Sequence, residues 1–222
     1  MPARSLAHAA LIAAAVVPLV TACSSGVAAP APTSPVAHAI VGRDFYDEAH
    51  PPPPEGTITP APGSWDHVHP PKGYRAVLVS MGTDPQTTTL VRAIDEWAQT
   101  ESVSLEHIVV ASHDEIIDKV ERAIDLKTEL VISAGNGLVD AMATITAAHL
   151  QQNFLVVGAE LAEPTFNVTA ADWPGASYRG EGLGASSTYD PKSFTPERAA
   201  RAIRAGAAAV LSNHTGIVVW LD

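Results

Sequence analysis

From residue 73 onward, short apolar runs alternate with longer segments in which apolar residues recur at helical spacing. Five runs have the length and the β-branched content of buried strands, and they occupy residues 75–80, 104–111, 129–134, 154–159 and 216–221. Strands that alternate with helices through short connections pair in parallel. The pattern therefore predicts one α/β domain over residues 73–222, with three α/β/α layers around a doubly wound parallel sheet.

Capping residues mark the starts of three helices. They are Asp84 before Pro85, Ser112 with Glu115 three residues later, and Thr195 before Pro196. Two of these starts lead into apolar stripes, formed by Leu90, Ile94 and Trp97 in the first helix and by Ile117, Val120 and Ile124 in the second. A further helix is predicted over residues 138–150, and the last one continues from Thr195 to residue 211.

Residues 1–22 have the features of an export signal. Arg4 precedes an apolar run over residues 6–20 that Pro18 interrupts, and this run is too short to span a membrane as a helix. Residues 20–23 read VTAC and resemble the bacterial lipobox, a small-residue cleavage site directly before a cysteine. The resemblance implies that Cys23 is acylated and anchors the protein in the lipid bilayer, on the extracytoplasmic face of the bacterial cell membrane. A plain secretory signal with a chance cysteine is the alternative.

Proline dominates the segment that follows the cysteine. Residues 24–72 contain 11 of the 18 prolines and show no hydrophobic periodicity. Such a segment buries too little apolar surface to offset its chain entropy, so residues 23–72 are predicted to be the lipidated cysteine and a disordered tether. The sequence leaves open whether residues 40–46 dock on the domain. His67 and His69 lie two residues apart in this segment, which is too weak a chelate to predict a metal site.

Charge and composition exclude several classes of function. The chain has 24 acidic and 13 basic side chains, a net charge of −11 that is unsuited to nucleic acid. Its single cysteine excludes a disulfide framework and a cysteine-rich zinc module. No spacing links a nucleophile, a base and an orienting group, so the sequence predicts neither an enzyme nor a cofactor.

Two segments resemble the basic membrane protein family of bacterial lipoproteins, which are substrate-binding components of ABC importers. Residues 128–160 are similar to that family's strand, Gly-x-Gly turn, helix and second strand, and residues 202–222 to its helix, Thr-Gly turn and strand that enters the second lobe. The resemblance implies the N-terminal lobe of a type I periplasmic binding protein, with a small solute as ligand and an ABC permease as partner. The family's second lobe would begin where this chain ends.

Ligands of doubly wound folds collect at the carboxyl ends of the strands. The residues expected to contact a ligand there are Asp84, Gln86, Asn136, Glu160, Asp172 and Trp173. Because Asp84 and Glu160 are acidic, a neutral or cationic polar solute is expected. Three alternatives stay open: Asp84 as a helix cap only, Asn136 as a residue that tolerates a left-handed turn, and Trp173 as a cover of the core.

The sequence thus supports two hypotheses of different classes. The first is a membrane-anchored solute-binding lipoprotein without enzymatic activity. The second is an accessory envelope lipoprotein that has lost ligand capture and acts through protein contacts or as a homodimer.

Overall fold

The computed structural model describes residues 40–176, 178–180 and 187–222. Within these residues, seven strands form one sheet in the order β1-β7-β6-β5-β4-β2-β3, and every neighbouring pair is parallel. Their bounds are β1 Thr57–Ile58, β2 Arg75–Met81, β3 Ser104–Val110, β4 Leu130–Ala134, β5 Phe154–Val157, β6 Val168–Asp172 and β7 Val218–Trp220. The signal segment 1–22 and Cys23 lie outside the described residues, so lipid anchoring stays a prediction.

In the described part of the chain, four α-helices cover the sheet, two on each face. They are α1 Pro85–Thr100, α2 Ile116–Asp125, α3 Val139–Ala148 and α4 Pro196–Leu211. Helices α1 and α4 share one buried core cluster with one face of the sheet, and α2 and α3 share a second cluster with the other face. The predicted α/β fold, a three-layer doubly wound parallel sheet, is confirmed.

Strand β2 shows how the sequence produces these layers. Successive side chains of a strand point to opposite faces, and in β2 Ala76 and Leu78 pack under α1 and α4, whereas Val77 and Val79 pack under α2 and α3. Both faces of β2 are therefore buried, which explains why it is apolar at consecutive positions instead of alternating.

The start of α2 differs from its predicted capping box. Ser112 makes no side-chain capping hydrogen bond, and a short 3-10 turn, His113–Glu115, precedes the helix. The predicted stripe is wrong at Ile117, which is 60% exposed while the neighbouring Ile116 is buried, and it is right at Val120, which is buried. Ile116 and Ile117 are adjacent apolar residues, so the sequence alone allowed either of them to face the core. In the structure, Ile116 packs against the sheet.

Residues 40–72, named the strap below, pack against the domain. Phe45, Trp65 and Val68 are 2%, 4% and 8% exposed and belong to the same core cluster as α1 and α4. The strap also contains β1, which pairs with the C-terminal strand β7. The predicted disorder is therefore wrong for residues 40–72. A few large apolar residues at irregular intervals bury enough surface here without any helical or strand periodicity.

Polar contacts fasten the strap at several points. The Tyr46 ring stacks on His214 with centroids 3.8 Å apart. Asp66 pairs with Arg204 of α4 at 3.0 Å, and His69 Nδ1 lies 2.8 Å from Glu101 Oε2, just after α1. The folded unit thus begins upstream of Gly73, the predicted start of the domain.

Strand β6 was also missed by the sequence analysis. Its residues read VTAAD, which is a weakly hydrophobic run with two alanines, yet all five are buried. Because it lies between β5 and β7, the sheet around it supplies the burial that its own side chains do not predict. Within the described part of the chain, no helix is long and apolar enough to cross a membrane.

Candidate functional site

The carboxyl edge of the sheet is built on glycines. Gly82, Gly135 and Gly158 follow β2, β4 and β5, and all three have positive φ angles, of 99°, 75° and 76°. Glycine adopts this backbone conformation without steric cost, so the chain turns sharply where each strand ends. Strand β3 lies on one side of β2, and the strands from β4 onward lie on the other side, so the order of the strands switches between β2 and β4. At such a switch point, doubly wound folds open a ligand crevice beyond the carboxyl ends of the strands.

Here the loops at the reversal point pack directly against each other. A Cβ atom built on Gly137 would lie only 3.3 Å from the carbonyl oxygen of Met81. A Cβ on Gly135 would lie 3.6 Å from both Thr87 Oγ1 and Leu90 Cδ1 of α1. The space between the ends of β2 and β4 is therefore occupied by the protein's own side chains and backbone.

Asp84 is the N-cap of α1. Its Oδ1 accepts a hydrogen bond from the Thr87 backbone N–H at 2.9 Å, and its Oδ2 accepts one from Thr87 Oγ1 at 2.8 Å. Partial burial acts to raise the pKa of Asp84, but the hydrogen bonds to its carboxylate, those from Thr87 first, together outweigh burial and the pKa is lowered. The local capping role is thus present, whereas a ligand contact of Asp84 stays a prediction.

Gln86, two residues after this cap, contacts the segment that contains Tyr189 and Pro191. Gln86 Nε2 donates to the Pro191 carbonyl oxygen at 3.4 Å, which joins α1 to the segment before α4. Tyr189 belongs to that segment and is 49% exposed. Burial and, second, the charge of Asp84 raise the pKa of Tyr189.

Trp173 lies inside the protein and not at its surface. Its side chain is 0% exposed, its Nε1 donates to Ser193 Oγ at 3.0 Å, and its ring meets Phe194 edge-on with centroids 5.2 Å apart. This placement agrees with the alternative that Trp173 covers the core, and it leaves no ring surface for a ligand. The neighbouring Asp172 is also fully buried, at the end of β6.

Asn136 is exposed in the turn between β4 and α3. The left-handed conformation falls on Gly135 and not on Asn136, so the proposed role of Asn136 as the left-handed residue is wrong. Glycine takes this conformation more readily because it has no Cβ. The Asn136 side chain is therefore accessible, and its contact with a ligand stays a prediction.

Glu160, one of the residues predicted to contact a ligand, lines a cavity in the described part of the chain. The cavity has a volume of about 310 Å³, and its walls are Glu55, Thr57, Glu160, Arg179, Val218 and Trp220. The Glu160 side chain is 6% exposed, and its Oε2 lies 3.2 Å from Arg179 Nε, whose side chain is 40% exposed. The backbone N–H of Glu160 also donates to the Tyr178 carbonyl oxygen at 2.8 Å, which holds the two segments together.

Sequence reasoning missed most of this cavity. Glu55 and Thr57 come from the strap that was predicted to be disordered, and Trp220 comes from the last strand. Arg179 follows no strand or helix signal, and its pairing with Glu160 arises because residues 178 and 179 contact the segment that follows β5. No local pattern in the sequence indicates that these residues meet.

Comparisons with known proteins give only distant similarities. No protein-family model and no curated protein matches the chain. Among solved structures, an ABC transporter solute-binding protein from Aeropyrum pernix K1 is 15% identical with a TM-score of 0.40, over 45% of this chain and 29% of that chain. This chain therefore spans less than a third of that protein's length.

Two further structures match over nearly their whole length. A fragment of a proposed lipoprotein from Peptoclostridium difficile 630 is 11% identical with a TM-score of 0.46, over 62% of this chain and 98% of that chain. A 3-dehydroquinate dehydratase-like protein from Bifidobacterium longum is 15% identical with a TM-score of 0.33, over 62% of this chain and 97% of that chain. At these scores the likenesses do not indicate what this chain binds, and its family is not established by them.

Proposed function

We propose that this chain is an extracytoplasmic lipoprotein, anchored through Cys23, whose single α/β lobe binds a small polar solute without enzymatic activity. The observation that carries the proposal is the nearly buried carboxylate of Glu160 in the wall of a cavity that residues of β1 and β7 also line. In keeping with the resemblance to the basic membrane protein family, the proposed partner is an ABC permease.

The charges around the cavity define the class of solute. Among the described lining residues, Glu160 and Glu55 supply two carboxylates and Arg179 supplies one guanidinium, so these residues together carry a net negative charge. A solute with an ammonium group or several hydroxyl donors would bind the carboxylates, and the exposed side of the Arg179 guanidinium would donate hydrogen bonds to an acceptor group of the same molecule. A volume of about 310 Å³ limits the solute to a small molecule.

Native mass spectrometry tests the proposal on the chain that begins at residue 23 and carries Cys23→Ser, purified from its own host without dialysis. A stoichiometric small-molecule adduct is expected. Glu160→Gln removes the charge at nearly constant volume and is expected to lose the adduct. Glu163→Gln, an exposed carboxylate three residues away, is the matched control and is expected to keep it.

Two outcomes would contradict the solute proposal. One is a wild-type protein that carries no adduct, and the other is a Glu160→Gln variant that keeps the adduct at wild-type occupancy. Either result favours the second candidate, an accessory lipoprotein that acts through protein contacts. The packed loops at the strand reversal and the burial of Trp173 support that candidate, because they remove the crevice and the aromatic surface on which ligand capture was expected.

A further inference from the structure

Strand β3 forms one edge of the sheet. Among the described residues it pairs with β2 alone, along all seven of its residues, so its outer side has no strand partner there. Val109 is 56% exposed, His107 is exposed and Leu105 is half-buried. An edge strand of this length with apolar side chains is a template for pairing with another strand.

The direction of the backbone groups of β3 follows from its pairing with β2. The Ser104 N–H donates to the Tyr74 carbonyl oxygen at 2.9 Å, so Ser104 directs its backbone groups toward β2. In a parallel ladder, alternate residues direct their N–H and C=O groups toward the same neighbour. Leu105, His107 and Val109 therefore direct their N–H and C=O groups outward, away from the sheet.

Leu105, His107 and Val109 can pair with the same three residues of a second copy of the chain in one antiparallel register. A two-fold axis perpendicular to the sheet at His107 places His107 opposite its own copy and Leu105 opposite Val109. Each outward residue can then exchange both backbone hydrogen bonds with the residue opposite it. A shift of the strands by two residues in either direction leaves outward groups at the strand ends without a partner inside β3.

Charge does not protect this edge as it does in many sheets. An acidic side chain on an edge strand normally opposes pairing. In β3 the acidic residue is Glu106, and it lies 3.6 Å from Arg122 of α2 in an ion pair within the same chain. The side chains on the other face of the strand, Leu105 and Val109, would form two apolar cross-strand pairs.

We propose that two copies of this chain associate through β3, in antiparallel register around His107, so that their sheets become one continuous sheet. The self-complementary register and the paired Glu106 favour a second copy over an unrelated partner. The proposal does not depend on solute binding, because β3 lies at the opposite edge of the sheet from β1, which lines the Glu160 cavity together with β7.

Engineered cysteines test the register. In the Cys23→Ser chain, which has no other cysteine, His107→Cys is expected to form a disulfide-linked dimer on mild oxidation. Opposite residues of a hydrogen-bonded antiparallel pair have Cα atoms about 5.5 Å apart, which is within the range of a disulfide. Glu106→Cys is the matched control: it is exposed and adjacent, but the two copies of residue 106 lie on the other face and out of register. Equal crosslinking of both variants, or none of His107→Cys, would overturn the proposal.

Sedimentation equilibrium provides a second measurement without any disulfide. Val109→Lys in the Cys23→Ser chain places a charge opposite Leu105 in both cross-strand pairs, and it is expected to weaken the dimer by about tenfold. Phe166→Lys is the control, since Phe166 is 62% exposed and precedes β6, away from β3. A wild-type chain that stays monomeric at high protein concentration, or equal weakening by both lysines, would refute pairing through β3.

Discussion

Replacement of Trp65 by alanine tests whether the strap is part of the cooperative fold. Trp65 is 4% exposed and contacts Phe45 edge-on at a centroid distance of 6.3 Å, within the core cluster of α1 and α4. Truncation of a buried tryptophan costs about 3–5 kcal/mol of unfolding free energy, from lost apolar burial and from the cavity that remains. We expect the lower end, about 3 kcal/mol, because the strap lies at the surface and can relax into part of the cavity.

The assay is thermal and urea unfolding followed by far-ultraviolet circular dichroism. For a domain of this size, a loss of about 3 kcal/mol lowers the Tm by roughly 6–12 °C. Ile40→Ala is the control, since Ile40 is also a large apolar residue of the strap but is 85% exposed, and it should leave the Tm unchanged. An unchanged Tm in Trp65→Ala would refute the inclusion of the strap in the folded unit and would restore Gly73 as the start of the domain.

Three further perturbations have defined outcomes. Asp84→Ala should cost about 1 kcal/mol near neutral pH in urea unfolding; because the folded-state pKa of Asp84 is lowered, this difference should vanish as the pH falls through the acidic range and the carboxylate is protonated. Burial lowers the pKa of His214 below 6.5 despite the opposing charge of Glu48, so the unfolded chain binds the proton more readily than the folded chain does. The Tm should therefore fall on acidification from about pH 7 to about pH 5, and the fall should be smaller in His214→Gln. Gly206→Ala should destabilise the protein by about 1–3 kcal/mol in urea unfolding, because the added Cβ would lie 2.6 Å from Leu155 Cδ1, and this clash outweighs the helix preference of alanine. An equal or higher stability of the variant would show that the packing relaxes at little cost.

The local sequence was sufficient for the features that arise within a few residues of one another. Asp84 and Thr195 cap α1 and α4 as predicted, because a cap depends on one side chain and a backbone N–H three residues later. The apolar runs of β2, β4 and β5 predicted buried strands, and their alternation with helices predicted the parallel sheet. These signals depend on periodicity and on local hydrogen bonding, which a single sequence contains.

Only the tertiary structure decided the features that depend on residues distant in the chain. The strap is ordered because Phe45 and Trp65 find a core built by α1 and α4, and no periodicity within the strap predicts that burial. The sequence around Trp173 allowed two roles, a wall of a ligand site or a residue of the core. In the structure its ring packs against Phe194 in the core. Glu160 meets Arg179 through the course of a loop, a contact that carries no local signal. Long-range burial and charge pairing are decided when the layers assemble, so they determined the candidate site and the strands β1 and β6, whereas the other five strands and the four helices were predicted in their order from the sequence.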